Sequence, residues 1–202
     1  MKRISGIFLS LVLLLSLLCG CQMQTGSYLQ PVKLTESERD LLQLTHQTLP
    51  LVMDYHVEGA KFMSIDRMTL QDGQWVSEET QIFSMTNEDA SQPMQGRMAL
   101  NYSTESDNFG LTSVAAQLGD GTCLRSAEFS NSSTYELRSA AANQNESTVT
   151  LNQPVYLLIF CADKPGNISN GAVATDPLAH PEAFTSDDVQ MITVTFSDKE
   201  PA

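Results

Sequence analysis

From residue 51 onward the chain is cut into short apolar or alternating runs by clusters of Asn, Ser, Gly, Asp and Pro, and this punctuation constrains its fold more than any other feature. Those residue types supply turns. Short runs with a period of two between them read as strands. The most specific cue is Asp72-Gly73 in "SIDRMTLQDGQWVS", a pair suited to the two-residue turn of a β-hairpin. Further strand runs follow: "TQIFSMT", "GRMALNYS", "FGLTSVAAQL", "TCLRSAEFS", "TYELRSAA", "STVTLNQ", "PVYLLIFCA" and "VQMITVTFS". "PVYLLIFCA" is apolar at every second position in both registers, as a central strand covered on both faces would be. In "VQMITVTFS", Ile192, Val194 and Phe196 share one side and Thr193 and Thr195 the other, which predicts a strand with one wet face.

Upstream of the strands lies one helix signal. Thr35-Glu36-Ser37-Glu38 fits a capping box, in which the Thr oxygen accepts a backbone N–H and the Glu side chain reaches back to the Thr N–H. Leu41, Leu42, Leu44 and Leu49 continue as an apolar stripe and Pro50 stops it, so the expected helix covers residues 36–48. The resulting fold class is mainly β: an antiparallel sandwich, Ig-like or similar, of about seven to nine strands with one N-terminal helix, in a single domain over residues 34–199. Residues 163–188 form the longest stretch without strand periodicity, and long connections in compact domains are either functional or disordered.

The N-terminus carries a different message. Met1-Lys2-Arg3 precedes a mostly apolar segment from Ile4 to Leu18, the charged and apolar regions of a secretory signal. A membrane span needs about 20 apolar residues, and this segment is shorter. Leu18-Cys19-Gly20-Cys21 resembles the bacterial lipobox. That resemblance implies cleavage before Cys21, diacylglycerol on its sulfur, and loss of Cys19 with the signal. Residues 1–20 are then signal and residues 21–33 a lipidated tether, which places the domain on the outer side of a cell membrane, facing the extracellular or periplasmic space. Two acyl chains on one residue meet the requirement of stable anchoring for two lipid signals. Gln22 offers no acidic retention cue. The order of lipobox, tether, helix, "LVMDYHVEGAKFMSIDRMTLQDGQW", "PVYLLIFCA" and closing "ITVTFS" resembles uncharacterised lipoproteins of Gram-positive, often gut-dwelling bacteria, a group with no settled activity to carry over.

Charge narrows the partners. The chain holds 24 acids against 11 Lys and Arg; cleavage after residue 20 removes Lys2 and Arg3 and no acid, moving the net charge from −13 to about −15. Such a surface repels phosphate backbones and anionic headgroups, which disfavours nucleic acid and leaves membrane contact to the lipid. Outside the cytoplasm the two remaining cysteines, Cys123 and Cys161, are permitted to form a disulfide, or to stand as two buried thiols; spacing alone does not decide between them.

Catalytic motifs are missing: HExxH, CxxC, GxSxG and SxxK do not occur, and His46, His56 and His180 have no second ligand at metal spacing. Glu78-Glu79 and Asp187-Asp188 read as solvated acidic pairs. No cofactor is expected beyond the lipid. Asp163, Asp176, Asp187 and Asp188, with Asn167 and Asn170, put hard oxygen ligands into one loop that could wrap calcium, although their spacing fits no calcium motif. The candidate ligand contacts are Trp75, Asp176, His180, Asp187 and Asp188; an aromatic one step past a hairpin turn is more often a core or cross-strand packing residue, and Trp75 is the best candidate for an exposed anchor. Together these features point to a non-enzymatic module binding a protein or glycan. The alternatives are a cell-envelope hydrolase, which requires a concave pocket where two or more of His56, His180, Asp176, Asp187 and Asp188 converge, and a structural or sensory accessory of a membrane complex.

Overall fold

In a computed structural model the chain is described over residues 26–43, 48–78, 81–89, 91–106, 108–118, 121–126, 134–167, 169 and 176–200. The signal segment, Cys21, His46, Glu79 and Asn170 lie outside these residues, as does the side chain of Cys123.

Among the described residues the chain is mainly β and forms two antiparallel sheets of six strands each. The first contains β1 (Tyr28–Pro31), β2 (Leu51–Val57), β6 (Met94–Thr104), β7 (Phe109–Leu118), β8 (Gly121–Ser126) and β10 (Ser147–Thr148), in the order β10-β1-β2-β6-β7-β8. The second contains β3 (Phe62–Gln71), β4 (Gln74–Ser77), β5 (Phe83–Thr86), β9 (Glu136–Ala142), β11 (Pro154–Asp163) and β12 (Asp188–Ser197), in the order β4-β3-β12-β11-β9, with β5 sharing the β3 edge with β4. There are more strands than the seven to nine expected. β1 falls inside the stretch read as tether, where Gly26, Ser27 and Pro31 mask a run too short to show a period; pairing with β2 from Tyr28↔His56 to Pro31↔Met53 makes it a strand.

Helix α1 (Glu36–Gln43) begins at the expected cap. Thr35 Oγ1 accepts the Glu38 N–H at 3.3 Å, and Glu38 Oε2 accepts the Thr35 N–H at 2.8 Å. The continuation over residues 44–47 is outside the described residues. The Asp72-Gly73 turn also forms as expected, with positive φ at both residues (50° and 75°), the mirror-image turn that matches strand twist.

The two sheets face each other across one core. Leu51, Met53, Tyr55 and Val57 alternate inward from β2, Met94, Met98 and Leu100 from β6, and Ile192, Val194 and Phe196 from β12. In β11 the register shifts between Tyr156 and Leu158, so Leu157 and Leu158 both join this core while Ile159 and Cys161 face the other way. Gly96 faces inward between Met94 and Met98, and only a hydrogen fits there: a Cβ would lie 1.8 Å from the Gln117 carbonyl oxygen. The space is used by Tyr55, whose hydroxyl crosses it to donate to Gln117 O at 2.6 Å.

The wet face expected of β12 is corrected. Val189 and Met191, on the side away from the core, are buried, and so is Thr193. Residues 176–187 fold back over this end of the second sheet, and a second apolar cluster of Ile159, Cys161, Phe184, Val189 and Met191 sits beneath them.

Strand direction gives the sandwich two poles. At one, β1 starts, and the short β2–β3 and β10–β11 connections join the sheets; here the Glu58 N–H donates to Ser27 Oγ at 3.0 Å, the Val149 N–H to Ser27 O at 3.0 Å and the Lys61 N–H to Ser197 O at 2.8 Å. At the other lie α1, the Asp72-Gly73 turn, the β6–β7 connection and residues 164–167, 169 and 176–187. The Leu137 N–H donates to Ser106 O at 2.9 Å and ties the sheets together at that second pole.

Candidate functional site

The second pole is shaped by one buried acid. Asp163 ends β11, the most apolar strand, and only 1% of it is exposed. Its Oδ2 accepts the Ser169 N–H at 2.8 Å and its Oδ1 the Asp187 N–H at 3.1 Å, while Arg138 Nε lies 3.6 Å away. Burial alone would raise this carboxyl, but the hydrogen bonds from Ser169 and Asp187 and the Arg138 charge outweigh it and hold its pKa below the ordinary range. A buried charge is tolerated only when paired in this way. Asp163 thereby joins the start and the end of the long connection.

Around it the clamp widens. Asp187 Oδ2 accepts the Lys164 N–H at 3.0 Å and Asn167 Nδ2 at 2.7 Å, and these bonds lower its pKa. Arg138 Nη2 donates to Asn167 O at 2.8 Å, and the Ser169 and Ser186 hydroxyls are 2.7 Å apart. Farther out, the Trp75 indole N–H donates to Pro177 O at 2.9 Å and the ring meets Phe184 edge-on, with centroids 5.7 Å apart. Trp75 is therefore a half-buried prop beneath the connection, and its N–H is already engaged. The β4 strand that carries it is set by the tight turn two residues earlier.

The other residues singled out from sequence gather on the same side of the molecule in different roles. Asp176 is exposed and accepts the Ala179 N–H at 3.3 Å, forming a turn. His180 is exposed with its Nδ1 2.9 Å from Glu182 Oε1, an interaction that lowers the Glu182 pKa. Asp188 is half-buried, bonded by Gln190 Nε2 at 2.9 Å, and its pKa is raised by burial. Asp163, Asp176 and Asp187 thus serve the connection's own backbone, whereas Asp188 is bonded within its strand. Among the described residues no three His, Cys, Asp or Glu side chains are grouped to hold a metal ion, and Asn170 is outside them.

His56 is elsewhere. It lies on the outer face of the first sheet, stacked on Tyr28 at 5.7 Å with Nδ1 3.1 Å from Gln95 Oε1. The thickness of the sandwich separates it from His180, so His56 takes no part in the group formed by Asp176, His180, Asp187 and Asp188. Cys161 carries a free, buried thiol in the outer cluster, pushed to a higher pKa chiefly by burial. Cys123 stands on β8 in the other sheet, opposite Ala116.

Asp163, Arg138, Ser169 and Ser186 were not singled out as a set by sequence reasoning. One signal was there: an acid closing "PVYLLIFCAD", a strand read as covered on both faces, must be paired with something. No family model matches the chain, and comparison with curated proteins and with solved structures finds no match.

Proposed function

We propose that this chain is a lipid-anchored, extracytoplasmic binding module with an Ig-like sandwich, held through Cys21 on the outer side of the cell membrane and offering its far pole to a protein or glycan partner. The observation that carries this reading is polarity. The first strand starts at one pole, and the long connection bearing Asp176 and His180, with the exposed Asp72-Gly73 turn, emerges at the other. From Cys21 to Ser27 the backbone reaches at most about 20 Å, less than the roughly 30 Å length of a ten-residue strand. An acidic surface does not lie down on anionic headgroups. The lipid end therefore faces the membrane and the exposed connection faces outward.

Fractionation of cells tests the anchor: Cys21→Ser is expected to move the protein from the membrane to the soluble fraction, and Cys19→Ser to leave it in place. Capture of envelope proteins and glycans tests the binding pole. Loss of a retained partner on changing Asp72 and His180, and its persistence on changing Glu58 and Asn152, is the expected pattern. The reverse pattern contradicts the reading.

A further inference from the structure

After β1 ends at Pro31 the chain leaves the first sheet and returns only at Leu51, and a cleft of ≈520 Å³ opens where these ends approach the second sheet. Polar and apolar surface line it in about equal parts: Leu34, Leu49 and Leu51 supply apolar surface on one side, with Tyr102 from β6 and Ala142 from β9 across the gap. Two cations, Lys33 and Arg39, also line it.

Among the described residues, Arg39 differs from the other arginines with described side chains in having no carboxylate partner, while Lys33 shares that state with Lys61, Lys164 and Lys199. With 24 acids against 11 bases, a cation has many potential partners. Of the other arginines with described side chains, Arg67 is held by Glu78 at 2.6 Å, Arg97 by Asp54 at 2.7 Å, and Arg138 by Glu136 at 3.3 Å and Asp163 at 3.6 Å. Lys33 and Arg39 have no carboxylate within ion-pair distance among the described residues. Both are exposed beside the cleft.

We propose that this cleft binds a small amphipathic anion, an apolar body carrying one carboxylate or phosphate. Its volume falls in the range of about 300–1,000 Å³ typical of small-molecule sites, which combine apolar walls with a few placed polar groups. The apolar body lies against the leucines and Tyr102, where burial of its surface supplies the affinity. The anionic group meets Arg39, whose planar fork pairs with two oxygens, and Lys33, which adds a point charge. In a protein otherwise so negative, these two side chains decide which anions can enter. The site uses none of Trp75, Asp176, His180, Asp187 and Asp188, so it stands or falls apart from the far-pole reading.

Isothermal titration of the full-length chain in lipid nanodiscs, with 4-phenylbutyrate and with its neutral amide as probes, tests the proposal. The carboxylate is expected to bind about tenfold tighter than the amide, and the Lys33→Gln/Arg39→Gln double variant to remove that preference while leaving amide binding unchanged. The comparison of acid with amide needs no variant. Equal affinity for the two probes, or no saturable binding of either by the wild-type chain, overturns the proposal, as does a preference that survives in the double variant.

Discussion

The two poles of this sandwich are built on opposite principles. At the pole where β1 begins, short connections join the sheets, backbone hydrogen bonds tie strand ends within each sheet, and just inside it Tyr55 spans the gap left by Gly96. At the far pole, one buried carboxylate gathers a long connection, and an indole supports its outer part from below. The first arrangement leaves little chain to vary. The second separates scaffold from surface: Asp163 and Trp75 hold the connection from beneath and Asp176 closes a turn within it, so the exposed His180 side chain, bonded only to Glu182, is spared from holding it. Substitutions should divide accordingly, with large losses of stability in the scaffold and losses of binding on the surface.

The largest effect is expected from Gly96→Ala. The added methyl has no room against the Gln117 carbonyl, and overpacking of this kind costs about 3 kcal/mol or more. Chemical denaturation should show a strongly lowered midpoint or a failure to fold.

Asp163→Asn comes next, at about 2 kcal/mol, because it removes the charge that accepts two backbone N–H groups in a buried position. Hydrogen exchange should show faster opening of residues 164–187 with little change in the core strands. The pH dependence has a definite sign. A pKa lowered on folding contributes stability above the ordinary carboxylate value of 3.8 and loses it as pH falls, so acid should open the same connection.

Tyr55→Phe is expected to cost about 1–2 kcal/mol through the lost donor to Gln117 O. Burial pushes the Tyr55 hydroxyl from 10.0 up to about 12. A group with a raised folded pKa contributes stability below its unfolded value and loses it as pH climbs, so the advantage of wild type over Tyr55→Phe should be constant at neutral pH and shrink between pH 10 and 12. A constant difference across that range would show that the hydroxyl is not buried as described.

The smallest effect on stability is expected from His180→Gln, within about 0.5 kcal/mol, since the side chain is exposed and bonds only to Glu182. If the far pole is the binding surface, this variant should nevertheless weaken partner retention.

How far this division could be read from sequence depends on whether the governing interaction is local. The Asp72-Gly73 turn, the Thr35–Glu38 cap and the inward set Ile192, Val194 and Phe196 follow from spacings of two or three residues, and each forms as read. β1 escaped because its strand character comes from pairing with β2, about 25 residues downstream. The wet face assigned to β12 failed for a similar reason: no period in "VQMITVTFS" reports that Phe184 and Leu178 will fold over Val189 and Met191. At the far pole Trp75 takes the packing role more usual for an aromatic beside a hairpin turn, but its partner could not be read from the sequence because its bond to Pro177 joins positions 102 residues apart. The cleft beside Arg39 left no trace, since its walls come from α1, from both sheets and from the segments between them.

Orientation at the membrane is the central claim, and depth measurement by fluorescence tests it most directly. With the full-length chain in vesicles containing headgroup-labelled acceptor lipids, single fluorescent labels at Asn152 and at Asp72 report the two poles. Strong energy transfer from position 152 and weak transfer from position 72 is the result this account predicts. Equal transfer from both positions, or stronger transfer from position 72, would contradict it.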